Sequence, residues 1–94
     1  MENNPEKKTD ISVKTRRYPM YKILLHNDDV NSMEHVVHAL CDIFKMEVIN
    51  SIKVMKEAHE TGVALVKICH LEHAEFYRDQ LQAYSLTATI EPAD

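Results

Sequence analysis

The chain has 94 residues with a single glycine, a size that supports one small domain and leaves no room for a second core. Its formal net charge of −4 is uneven: residues 1–17 carry +2 and the remainder −6, which excludes a strongly basic, nucleic-acid-binding core. The two cysteines, Cys41 and Cys69, stand far apart without CxxC spacing. With no signal peptide and no apolar run long enough to cross a membrane, both read as reduced, buried thiols in a cytosol-like compartment.

The first 17 residues pair five bases (Lys7, Lys8, Lys14, Arg16, Arg17) with three acids (Glu2, Glu6, Asp10) and contain few large apolar side chains. Such a segment cannot bury enough surface to offset its ordering entropy, so 1–17 is expected to be a flexible tail and 18–94 the folded domain. After Tyr18-Pro19, the apolar run Tyr21 to His26 is short enough to be a strand. Asn31 is expected to cap the helix that follows, with Glu34 completing a capping box. Apolar residues at Met33, Val36, Val37, Leu40, Cys41 and Phe44 give that helix one buried stripe.

A second helix is predicted from Val48, Ile49, Ile52 and Met55, ending at Gly62, which suits a left-handed terminator. Val63 to Cys69 reads as a strand, Ala74, Tyr77, Leu81 and Tyr84 mark a third helix, and Leu86 to Ile90 alternates as a last strand before Pro92. The order β-α-α-β-α-β predicts an α+β fold: a small three-stranded antiparallel sheet covered on one face by three helices.

Chemistry concentrates at Asn27-Asp28-Asp29, an amide and two carboxylates at a strand-to-helix joint. These acceptors suit a cation, an ammonium group or a metal, although the same residues also serve turns and caps. His59 lies four residues after Met55, on the same predicted helix face, and would complete a polar ring beside an apolar hole if it meets the Asn27–Asp29 cluster in space. His35, His38, Cys41 and Asp42 form the one spacing with a metal-ligand character, and His70 with His73 a weaker one. Both read more simply as half-buried or solvated histidines, so no cofactor or metal is expected. Asp28, Asp29 and His59 contain the minimum parts of a hydrolase, but no GxSxG, CxxC, HExxH or phosphate-cradling glycine loop accompanies them.

The run Met20-Tyr21-Lys22-Ile23-Leu24-Leu25-His26-Asn27-Asp28-Asp29, followed by Met33-Glu34 and Val36-Val37, resembles the ClpS adaptor family. The likeness continues through Met55, Ala58-His59, Gly62, Ala74-Glu75 and Thr89-Ile90-Glu91-Pro92, leaving only the polar tail outside it. The resemblance implies an adaptor rather than an enzyme: one that binds the N-terminal residue of a doomed protein, its N-degron, and hands the substrate to a Clp-type AAA+ unfoldase (ClpA- or ClpC-like) working with ClpP. Such a protein would be cytoplasmic, or in the plastid stroma of a plant or alga, with no nucleic-acid or membrane partner.

Residue by residue, the resemblance gives the substrate α-amino group to Asn27, Asp28 and His59. It gives the rim and lining of the side-chain pocket to Asp29, Asn31, Met33, Val36, Met55, Ala58 and Leu86, and the unfoldase interface to Glu72 and Tyr77. The chain departs from the pattern at Asn31-Ser32, where many relatives have Thr-Pro, at Ala58, often Val, at Val66-Lys67, commonly Cys-Gly, and at Tyr77, often Lys. Those departures leave open a ClpS-like module that modulates the unfoldase without binding degrons, and the histidines leave open a metal-binding protein.

Overall fold

A computed structural model describes residues 19–94; the tail expected over 1–17 lies outside the described residues. Strand β1 (Met20–His26) occupies the centre of a three-stranded sheet of order β2-β1-β3, pairing antiparallel with β2 (Val63–His70) and β3 (Thr87–Pro92). The alternation along β1 turns Ile23 and Leu25 into the core. Ala64 and Cys69 from β2 and Ala88 from β3 join them on the same covered face.

Between β1 and β2 run helices α1 (Met33–Phe44) and α2 (Val48–Thr61), and α3 (Leu71–Ala83) links β2 to β3. Helices α2 and α3 pack on the sheet, and α1 packs against both of them. The observed order β-α-α-β-α-β and the one-sided helical cover are those read from the sequence. The register of β1 on β2 slips between Ile23 and Leu24, which pair with Lys67 and Leu65, so Val66 is an extra bulged residue.

Several details differ from expectation, each for a physical reason. The cap of α1 is Ser32, whose hydroxyl accepts the His35 N–H at 3.1 Å, and not Asn31, whose amide is engaged elsewhere. Strand β3 continues through Pro92, opposite Tyr21, because an edge strand needs no outward N–H at that position. Leu86, expected to open that strand, precedes it in the turn.

Cys69 is buried and its thiol is pushed up by that burial, but Cys41 is only half-buried, with its Sγ 3.1 Å from Ser51 Oγ. Val48 and Ile49, apolar markers of α2, are both 60% exposed at its first turn, while Ser51 and Ala58 supply its buried positions. Ser51 is satisfied there by donating to the Glu47 carbonyl at 3.2 Å.

Candidate functional site

Three chain segments converge at one end of the sheet. The first is the loop from β1 to α1, the second the last turns of α2, and the third the turn from α3 to β3. Gly62 brings the first two together. Its φ of +94° ends α2 in the left-handed region, its N–H closes on the Ala58 carbonyl at 2.9 Å, and its own carbonyl accepts the Asn27 N–H at 3.0 Å. Met55, Ala58 and His59 therefore face the Asn27–Asp29 loop from one side of α2.

The three segments enclose a cavity of about 220 Å³. That is smaller than the roughly 300–1,000 Å³ of sites for drug-sized ligands and matches one side chain better than a whole metabolite. Its walls hold Met33 and Val36 from α1, Met55 and Ala58 from α2, and Leu86 from the last turn. Asn27, Asp28, Asp29, Asn31 and His59 complete the lining with polar groups. All ten residues singled out for the amine site and the pocket thus line one cavity.

Sequence reasoning missed two further lining residues, Leu25 and His26. The signal for Leu25 was the strand alternation, which turns it inward with Ile23, so that it meets the cavity from the core side at 2% exposure. His26 borders the cavity while its ring nitrogen Nε2 lies 2.7 Å from Thr89 Oγ1 on the neighbouring strand; only its place before Asn27 hinted at it.

The polar members divide into two kinds. Asp28 is held in place: its Oδ1 accepts the backbone N–H groups of Val30 and Asn31, both at 2.9 Å, and the Asn31 Nδ2 donates to both carboxylate oxygens. The backbone N–H of Asn31, followed by its side chain and the Val30 N–H, holds the Asp28 carboxyl below its ordinary range against an opposing effect of burial. By contrast, the side chains of Asn27, Asp29 and His59 make no hydrogen bond among the described residues, and all three are exposed at the rim. The site sets an ordered carboxylate beside three exposed polar side chains.

The remaining candidates lie elsewhere. Glu72, in the first turn of α3, borders a separate cavity with Pro19, Tyr21 and Leu71. Tyr77 is half-buried between Phe44 and Phe76, with ring centroids 4.6 and 5.5 Å away. Neither residue lines the cavity that holds Asn27, Asp28 and His59.

His35, Cys41 and Asp42, weighed above for metal-ligand spacing, each turn to a different partner. His35 Nε2 donates to the Tyr84 carbonyl at 2.7 Å, Cys41 turns to Ser51, and Asp42 accepts the Tyr84 hydroxyl. No group of three His, Cys, Asp or Glu side chains among the described residues is arranged to hold a metal ion.

Residues 16–90 match the family model described as ATP-dependent Clp protease adaptor protein ClpS. The chain is similar to the ATP-dependent Clp protease adapter protein ClpS of Gloeobacter violaceus, 49% identical over 86% of this chain and 88% of that protein. It is also similar to the chloroplastic adapter protein CLPS1 of Chlamydomonas reinhardtii, 47% identical over 82% of this chain and 48% of the relative. Among solved structures, that of Agrobacterium tumefaciens ClpS2 bound to L-phenylalaninamide superposes with a TM-score of 0.76 at 32% identity, covering 81% of this chain and 99% of that one. On fold, sequence and family match together, the chain belongs to the ClpS family of ATP-dependent Clp protease adaptor proteins, whose members are adaptors and not enzymes.

Proposed function

We propose that the cavity holds the N-terminal residue of a substrate protein, and that the chain delivers that substrate to a Clp AAA+ unfoldase coupled to ClpP. The observation that carries this reading is the pairing of unpartnered acceptors on Asn27, Asp29 and His59 with an apolar pocket sized for one side chain. A free α-ammonium has three donors and no acceptor, the complement of that rim. A large apolar side chain placed among Met33, Val36, Met55, Ala58 and Leu86 leaves water, which contributes roughly 1.5–3 kcal/mol. The ligand of Agrobacterium tumefaciens ClpS2, L-phenylalaninamide, combines a free amine with an apolar side chain and so supports the same division of labour here.

Within that division, the Asn27 amide oxygen and the His59 imidazole nitrogen accept from the ammonium, and the Asp28 and Asp29 carboxylates supply negative charge beside it. Asp28 contributes mainly as a fixed charge, since its Oδ1 already accepts three hydrogen bonds. Delivery is assigned to α3, through Glu72 and Tyr77, and to the polar tail of residues 1–17. The partner is a ClpA- or ClpC-like unfoldase, and the compartment is the cytoplasm or the plastid stroma.

The mutational test is direct. Asn27→Ala and His59→Ala each weaken binding of a Phe-headed peptide with a free amine by roughly tenfold or more, the scale of a lost charge-assisted hydrogen bond. Unchanged affinity in both variants contradicts the assignment.

A further inference from the structure

Asn31 is placed by its sequence position at the pocket rim, yet its side chain points its donors in two other directions. The carboxamide nitrogen lies 3.1 and 3.3 Å from the two Asp28 carboxylate oxygens and 2.8 Å from the Ser85 carbonyl, 54 residues away in the chain. A carboxamide has two N–H groups, so one reaches the carboxylate and the other the carbonyl, and neither remains for a ligand. Ser85 sits in the turn from α3 to β3 with φ of +67°, a left-handed conformation outside glycine. The residue after it is Leu86, 4% exposed and part of the pocket wall.

We infer that Asn31 is a positioning residue, a cross-brace whose one carboxamide fixes the ammonium-accepting loop against the turn that carries the wall of the side-chain pocket. The inference rests on the degron-binding reading above and deepens it: amine and side chain are read jointly because one group sets the spacing between their two subsites. A neighbouring bond reinforces the brace. His35 donates to the Tyr84 carbonyl at 2.7 Å, so two successive carbonyls of this turn are held from the start of α1. Those carbonyls, at the end of α3, would otherwise lack intrahelical partners. The residue type matters, because a Ser or Thr hydroxyl has a single donor and serves one of the two acceptors at a time. The cap of α1 is a separate matter, since Ser32 provides it.

The test measures four peptides of common sequence, headed by Phe or Ala, each free and N-acetylated, against wild type, Asn31→Ala and Asn31→Thr. NMR titration reaches the weak members. In the wild type the Phe-over-Ala preference is large with a free amine and small after acetylation, because the two subsites act together.

In Asn31→Ala that difference collapses, with the free-amine Phe preference falling roughly tenfold, the order of coupling between groups in one hydrogen-bond network. Asn31→Thr retains an intermediate share. It also keeps the test decisive if the alanine variant does not fold. A uniform weakening of all four peptides, or no change in the Phe preference, overturns the inference and leaves degron binding standing. A wild type that does not distinguish free from acetylated Phe peptide overturns the degron reading itself, and this inference with it.

Discussion

Asp28 accepts hydrogen bonds from two backbone N–H groups and one carboxamide, and this is the largest electrostatic commitment in the candidate site. Its carboxyl is held below the ordinary value of 3.8, so the folded state prefers the ionised form. The stability this contributes is fully present above that ordinary value and is lost as pH falls through the lower folded-state value. Urea denaturation of wild type and Asp28→Ala should therefore show a gap at neutral pH that narrows below pH 3.8; a gap that does not change with pH would contradict the role given to these bonds.

Ser32→Ala removes the side-chain cap of α1 and is expected to cost about 1 kcal/mol in the same assay, with little effect on peptide binding. This residue scale is also where the sequence was least legible. Asn31 and Ser32 are both good caps by type, and the choice between them turned on a contact with Ser85 that no local pattern encodes. That Asn27–Asp29 and His59 line one cavity was legible because residue type and spacing, matched to the family pattern, survive folding. That Asp28 would be occupied by its own loop was not, since hydrogen-bond direction is a property of the folded loop.

At the scale of elements, Gly62 does what its type predicted, and it does so without steric need: nothing lies within 4 Å of where a Cβ would stand. Gly62→Ala therefore isolates the backbone cost of the left-handed conformation, roughly 1 kcal/mol of destabilisation in thermal or urea unfolding. A neutral substitution would mean that the α2–β2 turn relaxes, and peptide affinity should then fall through the displaced Asn27–Gly62 bond.

The helices were legible in type and order from their apolar spacing, but the core was less so. Ala39, Ala58, Ala64, Ala74 and Ala88 are buried, whereas Val48, Ile49 and Phe76 are exposed. Small residues let α2 and α3 approach the sheet closely, and a reading weighted toward large side chains passes over them. Leu40 and Leu81 are the large anchors on the helical side, both at 0% exposure. Leu81→Ala is expected to destabilise by roughly 2–5 kcal/mol, the usual cost of emptying a fully buried leucine site.

For the whole molecule, the proposed division of labour separates binding from delivery. The pocket lies where the β1–α1 loop, α2 and the α3–β3 turn meet, while Glu72 borders a different cavity at the start of α3. Deleting residues 1–17 should leave peptide affinity unchanged and abolish substrate transfer to the unfoldase in a reconstituted degradation assay; retained transfer would remove the tail from the account. These separations were legible only through the family pattern, as neither charge nor periodicity says which surface meets a partner.

The measurement that bears most directly on the central claim is a titration of the full chain with peptides headed by Leu, Phe, Tyr, Trp, Ile or Ala, each with a free and an acetylated N-terminus. The account predicts selective binding of large apolar first residues, with micromolar or tighter dissociation constants, equivalent to a binding free energy of about −8 kcal/mol or more favourable, abolished by acetylation. Equal binding of free and acetylated peptides, or no binding by any member, would contradict it.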